Sequence, residues 1–335
     1  MNATRSPGLA FHGGRLDEAS RRFPDAPGPW IDLSTGINPQ AWGPATPPEV
    51  DLRRLPSDAA LAGLNRAAAR AFGAEALPVA ALPGSEIGLR ALAEAGLPRP
   101  WRVVAPAYRS HAAALPGATA ISTAQLAEEA ARGGTILLAN PNNPDGRMVA
   151  PVDLLAVAHR LGGKGGVLVV DEAFVDAVPG ASLVPHLAPA DPVLVFRSFG
   201  KFFGLAGVRL GFAVGSAGLV AKQADRLGSW PVSATAIALG TSAYADAGWI
   251  DATRAGLAEA ATTLDRLLAA HGLSARGDCP LFRLVETGQA ADLFEALGRA
   301  GILVRPFDYA PTWLRFGLPG DAEALDRLDR ALRHR

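Results

Sequence analysis

The middle of the chain alternates two hydrophobic rhythms. Short, nearly unbroken apolar runs occur at "WRVVAPAY" (101–108), "GTILLANP" (134–141), "GGVLVVDEAF" (165–174), "PVLVFRSFGK" (192–201) and "VRLGFAVG" (208–215). They are rich in β-branched residues and too short for helices, so they predict strands buried on both faces. Around them apolar residues recur at helical spacing over 61–73, closed by Gly73, over 85–97, opening on Ser85, and over 152–162. This strand–helix alternation predicts an α/β fold with a mostly parallel central sheet covered by helices.

The pattern changes near residue 245. A long amphipathic helix is expected over 249–273, then a strand near 281–285, a helix over 290–300, strands over 302–306 and 312–317, and a last helix from Asp321. That is the outline of a small α+β domain. The first 45 residues are rich in Gly and Pro and read as an arm. Three segments are therefore expected: an N-terminal arm (1–45), a large domain (46–244) and a small C-terminal domain (245–335).

Composition narrows the function classes. A chain of 335 residues with 49% hydrophobic content can bury a large core, and its length suggests about two domains. Lys and Arg number 32, matched by 32 Asp and Glu, so no basic excess points to nucleic acid or a membrane surface. The single cysteine, Cys279, excludes an internal disulfide and a multi-cysteine metal site, and no metal is expected. Without a leader-like segment or an apolar run of about 18 residues, a soluble cytoplasmic protein is expected.

In an open parallel sheet, ligands bind beyond the carboxyl ends of the strands. There the sequence places "NPNNPDG" (140–146), "DEAF" (171–174) and "SFGK" (198–201) after three successive strands. One rim thus receives Asn143, Asp171 and Lys201. Upstream, "LPGSEIGLR" (82–90) sets Gly84 and Ser85 at a helix start, where free N–H groups favour an anion. The chain has only three lysines, and Lys201 alone lies among phenylalanines: Phe199, Phe202 and Phe203. Partial desolvation there would lower its pKa and favour the neutral amine that attacks a carbonyl. Asp171 follows an apolar strand, where an unpaired buried carboxylate is costly. Singly, each has an ordinary explanation: a surface lysine, a capping aspartate, an Asn-Pro turn, an N-cap serine. Jointly they match what pyridoxal 5′-phosphate requires, a lysine for its aldehyde, a carboxylate for its pyridine nitrogen, and donors for its phosphate and phenolic oxygen.

The stretches "LPGSE", "NPNNPDG", "DEAF" and "SFGKFFGLAGVRLGF" resemble the fold-type I aminotransferase superfamily, class I/II, over nearly the whole chain. Within it, "FHGG" (11–14) and "DLSTGINPQAWGP" (32–44) resemble the branch that decarboxylates L-threonine O-3-phosphate in cobalamin biosynthesis. The neighbouring branch is that of histidinol-phosphate aminotransferases. The resemblance implies an aspartate aminotransferase-like fold and the cofactor pyridoxal 5′-phosphate. Lys201 would hold the cofactor covalently and move protons, Asp171 would face the pyridine nitrogen, and Asn143 the phenolic oxygen. Gly84, Ser85, Ser198 and Arg209 would hold the cofactor phosphate, Glu86 is a further cofactor-binding candidate, and Tyr108 would stack on the ring. Arg315 would take the substrate carboxylate and Arg305 its phosphate, with His12, Gly13 and Asn38 closing over the substrate. The implied partner is a small phosphorylated amino acid, and the implied assembly a homodimer. Phe174 departs from the tyrosine common in this superfamily and removes one donor to the phenolic oxygen. A cofactor-binding regulator is the contrasting class; zero net charge and the lack of an appended helix-turn-helix segment weigh against it.

Overall fold

The computed structural model describes residues 8–10, 12–43 and 48–333. Of the expected arm, residues 1–7, 11, 44 and 45 lie outside the described residues. The chain divides into two compact units, one of residues 41–254 and one that joins residues 1–40 to 255–335. The stretch read as an arm (1–45) is therefore divided at residue 40, its larger part grouping with the C-terminal part of the chain.

Residues 1–40 contribute α1 (Leu16–Arg22) and the short strand β1 (Ile31–Asp32). The contiguous unit begins with α2 (Asp58–Phe72), β2 (Val79–Leu82), α3 (Ser85–Arg90), β3 (Trp101–Val104), α4 (Arg109–Ala114) and β4 (Thr119–Ile121). It continues with α5 (Leu126–Ala130), β5 (Thr135–Ala139), α6 (Pro151–Gly162), β6 (Val167–Glu172), β7 (Val193–Ser198) and α7 (Phe199–Phe202). It ends with β8 (Gly211–Gly215), α8 (Ala217–Asp225) and α9 (Ala234–Ala245). The long helix α10 (Ala247–Ala270) carries the chain onward to β9 (Ala275–Arg276), β10 (Phe282–Glu286), α11 (Ala290–Arg299), β11 (Ile302–Leu303), β12 (Arg305–Pro306), β13 (Trp313–Gly317) and α12 (Ala322–Arg333).

The contiguous unit is built on a seven-stranded sheet of order β2-β8-β7-β6-β5-β3-β4. All pairs are parallel except those of β8 with β2 and β7, so the α/β expectation holds. Every residue of β5, β6 and β7 is buried, as expected of strands covered on both faces. One face packs Val103, Leu137, Val169, Leu194 and Phe196 against Leu89 and Leu92. The helix expected over 85–97 stops at Arg90 and tightens into a 3₁₀ turn at Leu92–Glu94 before Gly96 and Pro98.

In the other unit, β9, β10, β12 and β13 form an antiparallel sheet of order β12-β13-β10-β9. Residues 302–306 read as one strand in sequence but serve two sheets. Ile302 and Leu303 pair in parallel with β1, and after Val304 Arg305 and Pro306 pair with β13. Cys279 is fully buried, and burial pushes its thiol up to about 12, leaving it inert packing. Among the described residues no helix is long and apolar enough to cross a membrane.

Gly88 sits where α3 meets the sheet. An alanine Cβ there would lie 2.3 Å from Phe196 Cε1 and 2.8 Å from Leu82 Cδ1. Gly88→Ala should cost about 1–3 kcal/mol by overpacking. Combined with Phe196→Leu, the loss should be smaller than the sum of the two single losses, measured by chemical denaturation of all three variants.

Candidate active site

The sheet itself assembles the first group of residues. Ala139, Asp171 and Phe196 lie side by side across β5, β6 and β7. Because these strands are parallel, the turn bearing Asn143, the carboxylate Asp171 and the helix bearing Lys201 all leave by one edge. Asp171 is 5% exposed. Its Oδ1 accepts the Ala173 N–H at 3.1 Å, and its Oδ2 lies 2.9 Å from His111 Nε2. With an ionised carboxylate, which can only accept, His111 carries its hydrogen on Nε2. His111 is fully buried, and its Nδ1 has no hydrogen-bond partner among the described residues.

Lys201 sits in a single helical turn that helix propensity alone would not hold. Aromatic packing holds it. Phe199, Phe202 and Phe203 are almost wholly buried. Phe199 stacks on Phe203 at 4.7 Å, Trp249 stacks on the other side of Phe203 at 5.5 Å, and Tyr244 meets both phenylalanines edge-on. The lysine Nζ lies 5.9 Å from the centre of the Phe174 ring.

The asparagines of "NPNNP" divide their roles. Asn140 donates to the Val149 carbonyl at 3.1 Å and accepts its N–H at 2.8 Å. Asn142 donates to the Pro106 carbonyl at 2.9 Å and to Asp145 Oδ1 at 2.7 Å. These two shape the turn that presents Asn143, which is 8% exposed.

Gly84, Ser85, Ser198 and Arg209 converge. Ser198 pairs with Gly211, and Gly211 runs so close to α3 that a Cβ there would lie 2.4 Å from the Ser85 nitrogen. Gly84 has φ +89°, and a Cβ there would come within 2.8 Å of the Arg209 guanidinium. Only glycine admits both that backbone and that approach. Arg209 is the one non-glycine of positive φ among the described residues, at 56°; such cost is tolerated where the surroundings fix the residue. Glu86 accepts from Arg90 Nε and from Ser110 Oγ, both at 2.8 Å. Tyr108 precedes α4 and meets His111 edge-on at 5.9 Å. Burial pushes its phenol above the usual range, with Glu86 and Asp171 adding to the effect and Ser110 opposing it.

The second group lies in the other unit. Arg305 and Arg315 face each other across β12 and β13 and are 6% and 2% exposed. Arg315 Nη2 donates to the Ser34 carbonyl at 2.8 Å. Burial, and then the charge of Arg305, push the Arg315 guanidinium down to about 9. Two buried like charges facing each other make a ready anion site. Ser34 is tied to Asp32 Oδ1 through its hydroxyl at 2.5 Å and its N–H at 2.9 Å. The Gly14 N–H donates to Ser34 Oγ at 2.8 Å, and a Cβ on Gly13 would lie 2.3 Å from the Ser34 carbonyl oxygen, so His12 is carried on glycines pressed against this segment. Asn38 is buried, and its Oδ1 accepts the Gln40 N–H at 2.9 Å.

Sequence reading missed His111 and Asp32. His111 was findable: it falls three residues after Tyr108, on the same helical face. Asp32 acts through the Ser34 N–H and hydroxyl and through its charge on Arg315, contacts that carry no sequence pattern.

Removing the imidazole leaves a buried carboxylate oxygen unpaired, at about 1–3 kcal/mol. His111→Leu should therefore weaken cofactor binding by about 5–150-fold in fluorescence titrations, with a smaller loss for His111→Gln. For Arg315, whose folded pKa is lowered to about 9, protonation is half lost near that pH, sooner than in an unfolded chain. Affinity for a carboxylate ligand should stay level to about pH 8 and fall above about pH 9. Arg305→Gln should move that fall to higher pH.

Residues 118–332 match the family model described as aminotransferase class I and II. A threonine-phosphate decarboxylase of Sinorhizobium is 42% identical over 331 residues, covering 96% of this chain and 97% of the relative. One of Pseudomonas aeruginosa is 40% identical, covering 96% of each. A histidinol-phosphate aminotransferase of Symbiobacterium thermophilum is 35% identical over 70% of this chain and 68% of its own. Among solved structures, histidinol-phosphate aminotransferase from Sinorhizobium meliloti in complex with pyridoxal-5′-phosphate shares the fold at a TM-score of 0.77 and 20% identity, covering 99% of each chain.

Proposed function

We propose that this chain, which belongs to the aminotransferase class I and II family, is a pyridoxal phosphate-dependent carboxy-lyase that converts L-threonine O-3-phosphate to (R)-1-amino-2-propanol O-2-phosphate in cobalamin biosynthesis. The observation that carries this reading is the near-full-length likeness to two threonine-phosphate decarboxylases, beside which the likeness to a histidinol-phosphate aminotransferase covers less of the chain. The homodimer expected from the sequence motifs belongs to the same proposal.

The residues present suit the cofactor. Gly84 leaves a hollow that any side chain would fill, bordered by the Arg209 guanidinium. Asp171 is a buried carboxylate whose outer oxygen is already steadied by His111. When bound, pyridoxal phosphate supplies an aldehyde for amines and a ring that accepts the electron pair of a breaking Cα bond. Lys201 would hold that aldehyde and later return a proton to Cα. Asp171 would keep a proton on the pyridine nitrogen, and His111 would keep Asp171 aimed there. Asn143 would donate to the phenolic oxygen, Tyr108 would cover the ring face, and Gly84, Ser85, Ser198 and Arg209 would retain the phosphate, with Glu86 beside them holding Arg90 and Ser110.

Decarboxylation requires the Cα–carboxylate bond to stand perpendicular to the ring, since only then can its electrons be delocalised. Arg315 would grip that carboxylate and so choose which bond stands out of plane. Arg305 would bind the substrate phosphate, remote from the bond that breaks, where binding energy can be used for orientation. His12, Gly13 and Asn38 would close over the substrate. Carbon dioxide would leave, Lys201 would supply the one proton taken up at Cα, and the amine would depart. At Phe174 no hydroxyl competes with Asn143 for the phenolic oxygen.

Purified protein supplied with pyridoxal phosphate and phosphothreonine should release carbon dioxide in proportion to amine formed. Borohydride should fix the cofactor to Lys201, and Lys201→Ala should lower turnover by about 10²–10⁴-fold or more. Amino transfer from histidinol phosphate to 2-oxoglutarate, with phosphothreonine untouched, would instead make the chain an aminotransferase.

A further inference from the structure

A buried ionic cluster lies on the opposite face of the sheet from Asp171. Glu172 is fully buried, Arg197 is 3% exposed and Asp176 is 7% exposed. The register of β6 and β7 sets Glu172 opposite Arg197 and Asp171 opposite Phe196. Side chains alternate faces along a strand, so Glu172 and Arg197 share the face that Asp171 leaves. The neighbours on that face, Leu168, Val170 and Val195, are apolar and fully buried.

Arg197 works through its two terminal nitrogens, while its buried Nε has no hydrogen-bond partner among the described residues. Nη1 donates to Glu172 Oε2 at 3.2 Å and to Ser182 Oγ at 3.1 Å, and Nη2 donates to Asp176 Oδ1. The guanidinium carbon lies 4.2 Å from the centre of the Phe72 ring. Glu172 also accepts the Leu183 N–H at 2.6 Å and the Ser182 hydroxyl at 2.7 Å. Arg254 Nε donates to the Asp176 carbonyl at 3.0 Å. Burial pushes the Glu172 carboxyl up, while Arg197 and these donors oppose it. A network of this kind is seldom more stabilising than apolar side chains of the same volume. Its presence in an otherwise apolar layer calls for another account, and its position supplies one. Glu172 is the residue after Asp171, and Arg197 is the residue before Ser198, at the start of the turn that bears Lys201.

We propose that Arg197 is a positioning residue: by clamping Glu172, at the end of β6, and Asp176, in the segment that follows, onto the end of β7, it fixes the carboxylate of Asp171 relative to the amine of Lys201. The inference rests on the roles given to Asp171 and Lys201 under the proposed function. Arginine is required because three acceptors in different directions must be met by one planar cation, which a lysine ammonium cannot do.

The test compares full-length Arg197→Lys and Asp176→Asn with the parent, cofactor-free and loaded. In the cofactor-free proteins, amide hydrogen exchange of 171–176 and 198–204 should quicken by about tenfold in Arg197→Lys, with 282–286 unchanged. In the loaded enzymes kcat per bound cofactor should fall by about tenfold or more while KM stays within about twofold, a split that loss of stability alone does not produce. Asp176→Asn keeps an oxygen for Arg197 and should show the same pattern at about threefold, which also decides the matter if Arg197→Lys does not fold. Unchanged exchange in both segments, or unchanged kcat per bound cofactor, overturns the proposal. If the parent itself fixes no cofactor at Lys201, it is the proposed function that fails, and the exchange comparison still decides the role of Arg197.

Discussion

Parallel pairing of three strands is the constraint from which the candidate site follows. A parallel ladder forces each strand to hand the chain on at the same edge, so the residues after β5, β6 and β7 have to meet. The register then sets Ala139, Asp171 and Phe196 level with one another. Three supports then act on what the strands deliver: a turn shaped by Asn140 and Asn142, a carboxylate held by His111, and a helical turn pinned by stacked aromatic rings. Each draws on a residue distant in the chain: Pro106 for the turn, His111 for the carboxylate, and Tyr244 and Trp249 for the helical turn. A slip of one residue in either ladder would send Asp171 to the other face and separate it from the lysine.

Much of this was legible in the chain. The strands of the central sheet stood out because burial on both faces makes them nearly continuous apolar runs, and their polar ends marked the rim. Lys201 stood out because a strongly hydrated cation is an odd neighbour for three phenylalanines. Other features were hidden for physical reasons. The helix Arg109–Ala114 and the strand Thr119–Ile121 are too short to establish a period. The split of 302–306 between two sheets depends on partners far away in sequence. The Glu172–Arg197–Asp176 cluster is invisible because charge within an apolar run looks like a strand end, and only the register shows that two of the charges face each other.

The two groups of candidate residues solve opposite electrostatic problems. Around Asp171 a buried carboxylate is steadied by the His111 imidazole, an arrangement that would suit a positive ring nitrogen. Around Arg315 two positive charges are buried against each other, and the cost is lowered when an anion joins them. In the proposed site each arrangement would be relieved by the charge it receives, which is how a site can be made selective before any ligand arrives.

The pairing of Ile31 with Ile302 has a bearing on how the molecule comes into being. β11 lies about 270 residues after β1 in the chain, whereas every strand of the seven-stranded sheet pairs within residues 79–215. The central sheet can therefore close before β11 has been made, and the β1–β11 ladder cannot. Phe23, which meets Phe294 edge-on, and Leu33, whose N–H donates to the Leu303 carbonyl, depend on equally distant partners for their burial.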